Sequence, residues 1–257
     1  QLKCGVRQGG VLSPYLFACY IDDVVDVLHR SGLGCNMKKH VPVCIFLYAD
    51  DIILLTPSVD ALQKMIIICE LELALLEMAL NPKKSVCIRF GPRFDAKCAP
   101  LVSNSGQQLA WVITCRYLGV FFHAHRNFKC VFDNAKKAYY RSFNSVFGKV
   151  GRHASEEVIL KLIQSKCLPV ILFGLDACPV NSSDKHSFDF MLTRSLMKLF
   201  NTGSNLVIME CRKAFNVKLL SESIIDRKKS FLHRYCNTEN VICKMFCDEA
   251  ASELLLL

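Results

Sequence analysis

No apolar run in this sequence is long enough to cross a bilayer, because Asp50-Asp51 divides the longest one. A leader of basic then apolar residues is missing too, and the chain opens on Gln1, inside a motif, so we expect a piece of a longer protein. No internal repeat is present, and the one low-complexity stretch is the terminal Leu254–Leu257, which excludes a solenoid. Disorder is excluded by composition: 257 residues that are 52% apolar can bury one good core or two modest ones. The 15 cysteines lack the look of a disulfide scaffold, since Cys19, Cys44, Cys69, Cys87 and Cys167 stand singly in apolar runs, as small buried hydrophobes do. Reduced thiols in an intracellular protein, nuclear or cytoplasmic and not membrane-bound, are therefore expected. His233, Cys236, Cys243 and Cys247 have ligand-like side chains without a zinc spacing, and core or surface thiols are the simpler expectation.

What is present in excess is positive charge. Lys and Arg number 32 against 23 Asp and Glu, a net +9 that leans toward the second half of the chain. Such a balance suits a phosphate-bearing partner and equally suits a solubilising surface.

The stretch around which the chain is organised is Cys44–Thr56, CIFLYADDIILLT. Strand-forming runs on either side of Ala49-Asp50-Asp51 predict a β-hairpin with adjacent carboxylates at its tip. Two readings follow. Asp tolerates turn geometry, so the pair can be a solvated turn. Alternatively the tip is rigid and partly dry, where carboxylates are costly unless a hard cation such as Mg²⁺ compensates them.

Upstream, Gln1–Val11 reads as a short strand running into a glycine turn, and Ser13-Pro14 starts a helix that continues to about Arg30, with Ser13 as cap. Leu16, Phe17, Tyr20, Ile21, Val24, Val25 and Leu28 follow the helical period, leaving Asp22, Asp23 and Asp26 at the surface. A basic connection, Lys38-Lys39-His40, leads to the hairpin. After it, Ser58 caps a second helix whose stripe Leu62, Met65, Ile66, Cys69, Leu73, Leu76 and Leu80 should pack across the back of the hairpin. Asn81–Ser85 stops that helix, Val86–Phe90 returns as a strand, 91–108 is loop-like, and Trp111–Phe122 forms a pair of short strands. Beyond about His123 the chain turns helical. One helix carries Phe128, Phe132, Ala135, Tyr139, Phe143, Val146 and Phe147; Ser155 caps a second that Pro169 ends or kinks; Ser183 begins a third. Three helices with short links suggest a bundle. The predicted class is α+β, with a sheet-and-helix part at 1–123 and a mainly helical part at 124–257.

Two blocks, Cys4-Gly5-Val6-Arg7-Gln8-Gly9-Gly10-Val11-Leu12-Ser13-Pro14 and Tyr48-Ala49-Asp50-Asp51, together resemble the polymerase palm of reverse transcriptases, most closely those of non-LTR (LINE-type) retrotransposons. The likeness covers 1–123 firmly and the rest more loosely, as the palm's C-terminal part followed by a thumb. Group II intron-type maturases share the Tyr-Ala-Asp-Asp box, but Gly5–Gln8 and Asn81–Ser85 favour the LINE type.

The resemblance implies RNA-templated DNA synthesis by a two-metal mechanism, using Mg²⁺ or Mn²⁺, an RNA template, a DNA primer and dNTPs. It makes Asp50 a direct metal ligand, Asp51 a support for metal or primer end, and Tyr48 a neighbour of the nascent duplex. Arg7, Gln8, Gly9 and Gly10 would contact the incoming nucleotide and template, the glycines allowing close backbone approach and the Gln8 amide both donating and accepting. Lys84, in the Asn-Pro-Lys-Lys-Ser segment, would neutralise or protonate the leaving pyrophosphate. Tyr117-Leu118-Gly119 resembles the hairpin that grips the primer, and Arg116 would reach a phosphate. On the first thumb helix Lys136, Lys137 and Arg141, with Lys129, Lys149 and Arg152 nearby, would follow the nucleic-acid backbone, and Tyr139 and Tyr140 would add sugar or base contacts. The family also uses an aspartate on an earlier strand, which would precede Gln1. A different class of reading, a remnant that binds nucleic acid without catalysis or is inert, stands beside the enzyme.

Overall fold

The computed structural model describes residues 9–37, 41–151 and 153–257, and the chain folds as compact units at Gln1–Ile113 and Thr114–Leu257. It is α+β, built of small, mainly antiparallel sheets and many helices. Arg7 and Gln8, Lys38–His40 and Arg152 lie outside the described residues.

In the first unit, α1 spans Ser13–Arg30 and buries Ile21, Val24 and Leu28, while Asp22, Asp23 and Asp26 face solvent as expected. The helix begins one residue earlier than a Ser13 cap would require. Leu12 holds the cap position in helical dihedrals, with Pro14 in the first turn, where its missing N–H costs nothing. Leu16 and Tyr20, expected on the apolar stripe, are exposed, as is Cys19. A short antiparallel pair that the sequence did not announce, β1 (Cys35–Asn36) and β2 (Pro42–Val43), precedes the hairpin of β3 (Ile45–Tyr48) and β4 (Asp51–Leu54).

Helix α2, Val59–Leu75, is capped by Ser58, whose hydroxyl accepts from the Ala61 N–H at 3.2 Å. It is buried on two sides. Met65, Cys69 and Leu73 pack with Ile21, Val24 and Leu28 of α1 and with Cys44 and Ile45, as the apolar stripe predicts. Ile66 packs instead with Cys87, Leu101 and Leu109 of a second small sheet, ordered β5 (Val86–Cys87), β7 (Gln108–Trp111), β6 (Leu101–Val102). The Gln63 amide ties α2 to β6, donating to the Val102 carbonyl at 2.7 Å and accepting its N–H at 2.8 Å. The helix stops short of the expected Leu80: Glu77 takes φ 55° and the Met78 N–H bonds the Leu73 carbonyl at 2.8 Å, a Schellman-type closure. That closure sends Leu76 and Met78 to the first core and Leu80 to the second. The expected strand Val86–Phe90 is only Val86–Cys87, and the 91–108 segment contains β6.

The units divide after Ile113 rather than at about His123. The hairpin of β8 (Thr114–Tyr117) and β9 (Val120–His123), joined by β10 (Lys129–Val131), belongs with the helices because Val120 and Phe122 pack against their core. Then follow α3 (Asp133–Val150), α4 (Glu156–Leu162), α5 (Leu168–Leu172), α6 (Ser182–Leu199), α7 (Asn205–Ala214), α8 (Leu220–Cys236), α9 (Val241–Met245) and α10 (Cys247–Leu255). Between α4 and α5 a π-helical turn, Ile163–Cys167, absorbs Pro169: the widened bonding runs to Leu168, whose N–H reaches Ile163, and α-helical geometry restarts with the proline in its first turn. Helix α6 is capped by Asn181 rather than begun by Ser183. The Asn181 side chain accepts from the Asp184 N–H at 2.7 Å and the Asp184 carboxylate accepts from the Asn181 N–H at 3.3 Å, a closed capping box.

Among the described residues every cysteine is a free thiol, with Cys44, Cys69, Cys87 and Cys167 buried. Burial pushes the Cys69 and Cys87 thiols up to about 11. The described residues gather no set of three metal-ligating side chains, at His233–Cys247 or elsewhere, and include no helix long and apolar enough to cross a membrane.

Tyr139, expected to touch nucleic acid, is instead 0% exposed, packed between α3 and the other helices, with its hydroxyl lacking a hydrogen-bond partner among the described residues. Burial pushes that hydroxyl from 10 up to about 12, against a smaller downward pull from the neighbouring Ser195 hydroxyl, which is not placed to make a well-formed hydrogen bond. A raised folded-state value means the native protein holds the proton more tightly, so this group's contribution is fully present below pH 10 and is lost as pH climbs toward 12. Tyr139→Phe keeps the shape and removes an unsatisfied polar atom. We expect it to raise stability by about 1 kcal/mol at neutral pH and to reduce the alkaline loss, as read by urea unfolding at neutral and alkaline pH.

Candidate active site

The acid-bearing hairpin is closed by the two-residue turn Ala49-Asp50, with Tyr48 paired to Asp51, Leu47 to Ile52, Phe46 to Ile53 and Ile45 to Leu54. Strand side chains alternate, so each pair shares a face. Ile45, Leu47, Ile52 and Leu54 pack into the α1–α2 core. Tyr48 and Asp51 therefore share the opposite face with Phe46 and Ile53, and Asp50 stands at the turn. Ala49 carries the bend at φ 52°, a left-handed conformation that costs an alanine about 1 kcal/mol.

Asp50, Asp51 and Tyr48 are all exposed, Tyr48 by 62%. This corrects the expectation of a partly dry tip: no burial penalty calls for a cation here. What the site offers is adjacent hard-oxygen donors that, among the described residues, have no ion-pair or hydrogen-bond partner. Such a pair fits part of a Mg²⁺ or Mn²⁺ ligand set, and the described residues bring no third acid to it.

Gly9 and Gly10 lie just before α1, Gly9 at φ 79° and exposed. The far end of α1 is pinned to the base of the hairpin, where His29 Nδ1 lies 3.6 Å from Cys44 Sγ. Lys84 is exposed on the turn Asn81–Ser85, whose form is set by the Asn81 side chain and carbonyl accepting from Lys83, Lys84 and Ser85 N–H groups.

In the second unit, Tyr117 pairs with Val120 across a two-residue turn whose residues Leu118 and Gly119 both have positive φ, 45° and 86°. This is type I′ geometry, which matches the twist of a hairpin. A Cβ on Gly119 would sit 2.8 Å from a Phe173 ring carbon. The tip and Phe173, Pro169 and Val170 border a groove of about 600 Å³ that Arg116 also lines, its guanidinium 6.0 Å from the Phe121 ring centre. Lys137 and Arg141 of α3 are exposed as expected. Lys136 is drawn inward, 5.3 Å from the Phe188 ring centre and 4.0 Å from the Asp133 carboxylate, so its charge is already committed. Two cations that the motifs did not single out, Arg194 and Lys198, are exposed one turn apart on α6. Their only signal in the sequence is the four-residue spacing opposite a buried stripe.

The first unit thus brings adjacent acids to the tip of a hairpin whose other face lies in a core, with glycines before its first helix. Residues 1–122, just under half of the chain, match the family described as reverse transcriptase (RNA-dependent DNA polymerase). Two relatives from Popillia japonica, both described as a retrovirus-related Pol polyprotein from type-1 retrotransposable element R2, are 24% identical over 217 residues and 26% identical over 212. The matches take in 80% and 77% of this chain but only 34% and 28% of the relatives, so the chain spans about a third of their length.

Both turns are expected to tolerate added bulk poorly. Gly119→Ala should lower the stability of the second unit by about 1–2 kcal/mol. Ala49→Val, β-branched at a left-handed position, should cost the first unit a similar amount, roughly 1–3 kcal/mol, although both carboxylates remain. Denaturant midpoints followed by circular dichroism would measure each.

Proposed function

We propose that this chain is the C-terminal part of a reverse-transcriptase palm with the thumb that follows it, and that it serves RNA-templated DNA synthesis. The observation that carries the reading is the hairpin tip, where strand alternation sets Asp51 and Tyr48 on the face turned away from the core with Asp50 beside them. Asp50 and Asp51 would hold the divalent cations, Mg²⁺ or Mn²⁺. When bound, these acidify the primer 3′-hydroxyl and neutralise charge on the attacking and leaving oxygens.

In the reaction the primer 3′-oxygen forms a bond to the α-phosphorus of a dNTP, the bond to the β-phosphate oxygen breaks, and pyrophosphate leaves. Lys84, exposed and lacking an ion-pair partner among the described residues, neutralises or protonates that leaving group. Tyr48 offers its ring to the nascent duplex from the same face as Asp51. Gly9 and Gly10 allow close approach of template and nucleotide, with Arg7 and Gln8 beside them in sequence. Leu118 and Gly119 present backbone to the primer end, with Tyr117 behind them and Arg116 toward a phosphate. Lys137 and Arg141 follow the backbone along α3.

A second reading, nucleic-acid binding without catalysis, is favoured by one observation: the described residues offer two adjacent acids but no third at the tip. The readings separate in a primer-extension assay on an RNA template with Mg²⁺. The polymerase reading expects metal-dependent extension that Asp50→Asn abolishes and that Lys84→Ala slows by about 100-fold. Salt-sensitive binding of the template, with no extension and no effect of Asp50→Asn, would favour the second reading.

A further inference from the structure

Between α3 and the end of α6 runs a groove of about 580 Å³, lined by Tyr140, Asn144, Arg194, Lys198, Asn201 and Thr202 above a floor that includes the buried Phe143 and Ser195. No carboxylate is among its lining residues. Arg194 and Lys198 stand one helical turn apart on the same face of α6, both exposed, and among the described residues neither has an acidic partner. Lys198 is held in place: its ammonium donates to Asn144 Oδ1 at 3.1 Å and lies 5.0 Å from the Phe147 ring centre and 5.7 Å from that of Phe143. A lysine so positioned loses little freedom on meeting an anion. Asn201, at φ 49°, ends α6, and the Thr202 N–H bonding back to the Met197 carbonyl at 3.1 Å sets the polar side chains of this turn at the groove's edge.

The groove does not end at α6. On α3, Lys137, Arg141 and Asn144 follow one another at helical spacing, so the α3 cations lie along the wall that Asn144 and Tyr140 supply. Tyr140 is 38% exposed and presents an aromatic face beside Arg194, whose charge partly offsets the upward push of burial on its hydroxyl. Two cations without acidic partners, amide and hydroxyl donors, one exposed aromatic and no acid suit phosphodiester oxygens. A line of such groups suits a strand better than an isolated ion.

We propose that this α3–α6 groove binds the sugar–phosphate backbone of a nucleic-acid strand, with Arg194 and Lys198 as its phosphate contacts. The proposal extends the nucleic-acid partner of the function above to residues that neither the motifs nor the family likeness assign.

The test is fluorescence anisotropy of a labelled RNA–DNA primer–template on the whole chain, titrated across a range of chloride concentrations. Arg194→Ala combined with Lys198→Ala is expected to weaken binding by about tenfold and to reduce the salt slope by about one to two. Lys161→Ala combined with Lys166→Ala, which removes the same charge from exposed positions outside the groove's lining, is expected to change neither by comparable amounts. Arg194→Ala alone leaves the Lys198 ring contacts in place and should show part of the loss with an unchanged unfolding midpoint. Equal weakening by both double variants, or no binding by the unaltered chain, would overturn the proposal. So would inorganic phosphate displacing the duplex far better than chloride at matched ionic strength, since that marks a pocket for a free anion. Asp50→Asn separates the two readings: extension by the unaltered chain that this variant abolishes while groove-dependent binding is retained supports both, whereas groove-dependent binding by an unaltered chain that does not extend leaves the groove and removes the polymerase.

Discussion

Strand alternation against one shared core is the constraint from which the candidate site follows. Ile45, Leu47, Ile52 and Leu54 lie on the hairpin face that meets α1 and α2, and with a period of two the next side chains have nowhere to go but the other face. A register slip of one residue would turn Asp51 and Tyr48 into the core and expose Ile52 and Leu47. The apolar contacts that stabilise the first unit thus also aim its chemistry. The strained Ala49 is the local cost of closing the strands in two residues.

Helix α2 makes this arrangement rigid because it is buried on both sides. Met65 is 0% exposed toward the hairpin and Ile66 is 3% exposed toward the second sheet, so the helix cannot roll to improve one contact without losing the other. The Gln63 clamp on Val102 reinforces the same position. In the second unit the corresponding constraint is the aromatic and aliphatic core around Tyr139, Phe143 and Phe188, which commits one face of α3 and of α6. Their other faces are left to polar and charged side chains, and there Arg194 and Lys198 of α6 line a groove with Tyr140 and Asn144 of α3.

Where the sequence reading failed, tertiary packing outweighed a local signal. Ser13 and Ser183 look like caps, yet a proline-compatible first turn moved one start and the reciprocal Asn181–Asp184 bonds moved the other. The second-helix stripe continues to Leu80, but a left-handed Glu77 ends the helix early and distributes the remaining leucines between two cores. Tyr139 and Tyr140 are neighbours in sequence with opposite fates, one sealed inside and one on the groove, since helical rotation of 100° per residue separates them. Lys136 and Lys137 divide in the same way.

By itself the sequence determined a helix reaching Arg30, a second one capped by Ser58, the hairpin with Asp50 and Asp51 at its tip, and the likeness to reverse transcriptases, because periodicity and short motifs are local properties that survive any tertiary arrangement. Only the tertiary structure decided that the tip is wet, that the Tyr117–Val120 hairpin folds with the helices rather than with the acids, and that Arg194 and Lys198 meet Tyr140 and Asn144. Those facts depend on contacts between residues far apart in the chain, and no local pattern encodes which exposed charge will face which.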